Sequence, residues 1–69
     1  MEHVRPKDSE VSAYVGRKLK INRAEEEFVG TVRGWSETKG NRLWLLEAGN
    51  ATKTFLPSDG WDVYDVTVS

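Results

Sequence analysis

The chain has no cysteine among its 69 residues, one histidine, one methionine and two prolines. Without cysteine there is neither a disulfide framework nor a thiolate metal site. The one histidine, His3, lies in a polar N-terminal stretch where disorder is the expected state, so no metal or other cofactor is expected. No apolar run approaches the ~20 residues of a membrane span, and the N-terminal MEHVRPKDSE lacks the apolar centre of a signal peptide. The expectation is a soluble, cytoplasmic protein with no membrane partner. Excess charge is missing too: ten basic against eleven acidic residues leave a net charge of −1. A dedicated nucleic-acid binder is usually basic overall, so the balance argues against phosphate binding as the dominant activity. Catalysis is not expected either. Ser9, Ser12, Ser36 and Ser58 have no histidine partner in a plausible ordered position, and the glycines at 30 and 34 precede no helix that would make a phosphate cradle.

What the chain does have is aromatic and apolar mass: three tryptophans, two phenylalanines, two tyrosines and eight valines. A chain this short buries roughly 60 % of the surface its unfolded form exposes, so it makes one efficiently packed domain or is stabilised by assembly. Residues 1 to 7 are expected to be a flexible lead-in and residues 8 to 69 the domain. Asp8-Ser9 offers a helix cap, residues 10 to 15 a turn or two of helix, and Gly16 its left-handed end.

From Arg17 onward the apolar period is two. Leu19 and Ile21 share one face of a first strand, Lys18 and Lys20 the other. Residues 27 to 35 make a second strand, with Phe28, Gly30, Val32 and Gly34 on one side and Val29, Thr31, Arg33 and Trp35 on the other. Residues 36 to 41 read as a polar loop. Residues 42 to 48 are a third strand that sets Leu43 and Leu45 against Trp44 and Leu46. Gly49-Asn50 is a hairpin turn, residues 51 to 56 a fourth strand, Pro57 to Gly60 a tight turn, and residues 61 to 66 a short fifth strand. Gly30 and Gly34 inside the second strand mark bends and are expected to relieve crowding where it curls over the core.

The order of these features resembles the SH3-like barrels, and within them the Sm-like fold. YVGRKLKI at residues 14 to 21 is similar to the Sm-like entry into the first strand. FVGTVRGW at 28 to 35 is similar to its curved second strand, and NRLWL at 41 to 45 to its asparagine-led third. The resemblance implies an all-β, five-stranded SH3-like barrel with a short helical or irregular N-terminal segment. Ser36 stands where the Sm pattern has an acidic residue, and residues 54 to 61, TFLPSDGW, lack the arginine-glycine element that helps Sm rings bind RNA. The resemblance therefore implies the fold more than RNA binding.

Strands two and three carry large apolar residues on both faces, and closing a barrel buries only one of them. With Leu43 and Leu45 taken as inward, Trp44 and Leu46 point out and join Val29 and Trp35 in an apolar strip flanked by Arg33 and Arg42. Aromatic and arginine residues are the usual anchors of protein interfaces. The expected function is thus a non-catalytic interaction or assembly module, an adaptor that binds a protein partner or itself. The competing arrangement has Val11, Tyr14 and Val15 fold back over the strip. A second function class is a Sm-like nucleic-acid-binding protein that uses Arg17, Lys18, Lys20 and Arg23, although cross-strand pairing with Asp62 and Asp65 is the plainer fate of that group. A third is a small regulatory subunit of an enzyme complex. Free-standing barrels of this length occur in bacterial and phage genomes, and either origin suits the chain.

Overall fold

The computed structural model describes residues 1–67. Its elements are β1 (Glu2–Val4), a 3₁₀ turn (Asp8–Glu10), α1 (Val11–Tyr14), β2 (Lys18–Arg23), β3 (Glu26–Thr38), β4 (Asn41–Ala48), β5 (Ala51–Phe55) and β6 (Asp62–Asp65). All strands pair antiparallel in one sheet ordered β1-β6-β2-β3-β4-β5. The all-β class expected from the period of two is therefore correct, and so is the short helix. Two details differ. There are six strands rather than five, and the sheet is open, since no ladder joins β5 to β1 among the described residues. The extra strand comes from the N-terminal stretch expected to be a lead-in: Glu2, His3 and Val4 pair with Asp65, Tyr64 and Val63. A strand of three residues is too short to carry a period, which is why the sequence does not announce it.

α1 ends as its residues suggest. Gly16 has φ +92° and the Arg17 amide donates to the Tyr14 carbonyl at 3.0 Å, which makes residues 14–17 a turn needing glycine at its third position. The chain then enters β2 directly.

The core is Val11, Leu19, Ile21, Val32, Trp44, Leu46, Phe55, Trp61 and Val63, with Val4, Tyr14 and Phe28 packed against it. An aromatic row crosses it. The Tyr14 and Trp44 ring centroids lie 5.3 Å apart, Trp44 and Phe55 5.6 Å edge-on, and Phe55 and Trp61 6.0 Å edge-on. Such tilted pairs match ring edges to ring faces and add to what area burial alone supplies.

β3 organises the rest. Its 13 residues span about 40 Å if straight, against a long axis of 33 Å for the whole molecule. Two features relieve the mismatch. At Gly30 a β-carbon would meet the Phe28 ring at 2.8 Å and the Glu47 carbonyl oxygen at 2.9 Å, so only glycine lets β3 come this close. Between Val32 and Gly34 the register shifts: Val32 opposes Leu46 but Gly34 opposes Leu45, leaving Arg33 as the extra residue of a β-bulge. Crowding was expected at both glycines. It exists at Gly30 alone, because no atom lies within 4 Å of a β-carbon placed at Gly34.

A Gly30→Ala variant is expected to lose about 1–3 kcal/mol, because the carbonyl it meets is backbone and cannot swing aside. Urea denaturation reads this directly; an unchanged midpoint would mean that β3 and β4 separate there at no cost.

Candidate functional site

The six residues expected to form one contact strip lie in three different places. Trp44 and Leu46 are fully buried, which corrects their assignment to an outer surface. Leu43 and Leu45, expected inside, are on the solvent side of the sheet and only partly covered. The reason is the N-terminal segment. Val11 is fully buried in the core, Tyr14 stacks on Trp44, and the Trp44 indole Nε1–H donates to the Asp8 carbonyl at 3.0 Å. Both faces of β4 are apolar, so alternation alone cannot choose between them. The face that gains a cover and a partner for its indole N–H goes inward. Intrachain folding-back is thus what happens to the strip.

Val29 and Arg33 stay on the outer face. Val29 is 37 % exposed, and the exposed Arg33 pairs with Glu47 through Nε and Oε1 at 3.1 Å. Trp35, expected beside Val29, is on the opposite face, because the bulge at Arg33 inverts the phase of β3. Beyond it Trp35 opposes Trp44 and Glu37 opposes Arg42, and opposed residues in an antiparallel pair share a face. Trp35 therefore continues the core face past the end of its cover and is 39 % exposed. The Arg42 guanidinium carbon lies 5.5 Å from the centre of the Trp35 ring, and Arg42 Nε lies 3.8 Å from Glu37 Oε1. Cation, ring and carboxylate form one small exposed cluster.

This cluster sits on a two-stranded ribbon that sequence reasoning missed. Residues 36 to 41 are not a loop: β3 and β4 stay paired to Thr38 and Asn41. They are joined by Lys39 and Gly40 at φ +52° and +82°, the paired positive angles of a tight hairpin turn. β2 covers β3 only as far as Thr31, followed by the Gly16–Val32 and Val32–Arg17 backbone bonds. Among the described residues, the far end of β3 is thus paired on one side only. Serine and threonine at this end hide the strand, but Lys39-Gly40 midway between Trp35 and Trp44 was a usable hairpin signal.

The basic group expected for the alternative, nucleic-acid function is largely occupied. Arg17 Nε holds Asp65 Oδ2 at 2.6 Å, as the cross-strand reading expected. Arg23 holds Asp59 at 2.6 Å and Glu26 at 3.3 Å, and Lys20 lies 3.7 Å from Glu27. Lys18 has no ion pair among the described residues. Asp62 meets His3 at 3.8 Å rather than a β2 cation, and His3 also packs on Tyr64 with centroids 4.8 Å apart.

Two polar clasps hold the ends of the sheet. Arg23 lies 4.4 Å over the Trp61 ring, and Glu26 reaches from Arg23 to Lys53 of β5 at 3.5 Å. This network links the β2–β3 turn to β5. The hydrogen bond from Arg23 lowers the Glu26 pKa, and the bonds to Asp59 first and Glu26 second raise that of Arg23. At the other end Asp65 is 8 % exposed. Burial would raise its pKa, but the Thr67 amide and hydroxyl and then the Arg17 guanidinium outweigh it and hold the group below the usual carboxylate range. A third contact fixes the N-terminal cover: Asp8 accepts from the Ser58 hydroxyl at 2.7 Å and the Ser58 amide at 3.1 Å.

No protein-family model, curated protein or solved structure matches the chain.

The Asp65 clasp fixes the sign of one pH effect. A carboxylate whose pKa is depressed by folding contributes stability above its unfolded value of about 4, and that stability is lost as pH falls through the folded value. Asp65→Asn is therefore expected to lower the urea midpoint at neutral pH, with the gap to the parent chain narrowing in acid. A gap that is constant across pH would show that Asp65 acts through shape rather than charge.

Proposed function

We propose that this protein is a non-catalytic interaction or assembly module, and that it works through the β3–β4 ribbon rather than through the strip around Trp44. The observation that carries this reading is Trp35: a large aromatic, 39 % exposed, beside Arg42 on a ribbon whose β3 edge is unpaired among the described residues. Tryptophan and arginine are the residues most enriched among interface hot spots, and an exposed strand edge is a ready template for another strand. The other two sheet edges are blunted. β1 has three residues and is followed closely by Pro6. On β5, Lys53 opposes buried Leu46 and turns inward to Glu26, a device that discourages strand addition.

Protein rather than nucleic acid is the partner class this supports. Three of the four cations Arg17, Lys18, Lys20 and Arg23 are neutralised within the chain, and the net charge is −1. The strand order β6-β2-β3-β4-β5, in which the first and last strands of a five-strand meander are neighbours, is in keeping with an SH3-like fold to which β1 is added. A cytoplasmic module of bacterial or phage origin remains the setting we propose.

Trp35→Ala is expected to leave stability within about 0.5 kcal/mol of the parent chain, as for ordinary surface changes, while Trp44→Ala loses about 3–5 kcal/mol. The function is read by placing a photoreactive residue at position 35 in cells of the native host and looking for protein crosslinks. No crosslink to any protein, this one included, would sink the reading.

A further inference from the structure

The bare edge of β3 has a hydrogen-bonding phase that can be worked out. In a two-residue hairpin the closing pair, here Thr38–Asn41, is hydrogen-bonded, and bonded pairs then alternate along the ladder. Thr38, Ser36 and Gly34 therefore direct their backbone groups to β4, while Trp35 and Glu37 direct theirs to the open side. An independent observation fixes the same phase. Val32, before the bulge, bonds away from β4, its amide to the Arg17 carbonyl at 2.9 Å and its carbonyl to the Gly16 amide at 2.8 Å. The bulge inserts one residue, which carries this outward direction from Val32 to Trp35 and Glu37.

We infer that a second copy of this chain adds to this edge, with residues 34–38 of the two copies antiparallel about a two-fold axis at Ser36. The inference rests on the ribbon being the interaction surface and names its occupant. Strand polarity and phase leave few registers. A bonded residue must face a bonded residue, so Trp35 and Glu37 can meet only Trp35 or Glu37 of the other copy. Centring on Glu37 sets two carboxylates face to face, which is destabilising. Centring on Trp35 draws the bulged Arg33 into the ladder, where its backbone is out of phase. Centring on Ser36 has neither fault. Trp35 then opposes Glu37 of the second copy in a doubly hydrogen-bonded pair at each end, and Ser36 opposes its equivalent with only small side chains in contact.

The segment Gly34-Trp35-Ser36-Glu37-Thr38 contains no proline and no lysine, the usual edge blockers. A net charge of −1 gives the copies little mutual repulsion. The same pairing covers one side of both exposed tryptophans. An isologous contact of this kind closes on itself, so it yields a dimer and not a fibre.

The test uses the intact chain. Sedimentation from about 10 µM to about 1 mM, where an interface smaller than the ~1,000 Å² of stable complexes fills, is expected to show a monomer–dimer shift. Glu37→Pro removes one N–H on the open side and none directed to β4, so it is expected to stay folded by circular dichroism and remain monomeric. Ser36→Cys sets two thiols across the axis at about 4.5 Å between Cα atoms, within disulfide reach, in a chain with no other cysteine. It is expected to oxidise to a covalent dimer about tenfold faster, or more, than Lys39→Cys at the turn, since pairing raises the effective concentration. A chain that stays monomeric throughout, with Ser36→Cys no faster than Lys39→Cys, overturns the second copy as occupant. If photocrosslinking from position 35 then captures a different protein, the ribbon remains an interaction surface and its edge takes a foreign strand. If it captures nothing, the ribbon reading fails as well.

Discussion

Burial of the Trp44 side chain is the constraint on which the other features depend. An indole carries one donor, and a buried donor without a partner destabilises the fold by an amount comparable to a hydrogen bond. The Asp8 carbonyl supplies that partner, and the segment that brings it also brings Val11 and Tyr14. Asp8 is in turn held by Ser58, at the turn that delivers Trp61. One buried ring thus ties the N-terminal cover, the middle of the sheet and the connection into the last strand. An open sheet of short strands has no barrel closure to exclude water. Here the cover and the Arg23–Glu26–Lys53 clasp do that work, one over the apolar face and one between the β2–β3 turn and β5.

The bulge at Arg33 is the second constraint, and it separates two tasks given to one long strand. Up to Val32, β3 is a central strand paired on both sides, with Gly30 admitting the close pass of β4. After it, the inner face carries Trp35 and Glu37 instead of small or aliphatic residues, and β2 has ended. Without the extra residue, Trp35 would have lain on the same side as Val29, and Gly34 would have faced the core.

This is where the sequence stops being legible. A period of two, the Gly49-Asn50 turn and Gly16 were enough for the class, most strand positions and the end of α1. Period two cannot say which of two apolar faces is inside, and in β4 Leu43 and Leu45 competed with Trp44 and Leu46 on equal terms. The choice was made by Asp8, Val11 and Tyr14, thirty or more residues from Trp44 in sequence. A bulge is invisible to alternation for a related reason: it leaves composition unchanged and shifts only the phase. β1 escaped because its three residues pair with β6 through backbone bonds that any sequence could make. The basic group was read with fewer errors, since charges of opposite sign on neighbouring strands pair with little dependence on phase.

The cover over Trp44 also sets how far the apolar face can be protected. α1 is only four residues long, and after Tyr14 the Gly16 turn takes the chain back into β2, with Val15 left 46 % exposed at the turn. Tyr14, the last residue of α1, stacks on Trp44, the cross-strand partner of Trp35, and the cover ends there. A longer helix would have delayed the turn that places Arg17 beside Asp65, and that pair anchors the strand on which β1 rests. Cover length and sheet anchorage are therefore set against each other in a chain this short. The ribbon beyond the cover is what remains exposed. Its two strands stay paired to the Lys39-Gly40 turn, and Arg42 lies beside both Trp35 and Glu37 on the face that has no core beneath it. The ladder to β4 sets the phase in which that uncovered edge offers its hydrogen bonds.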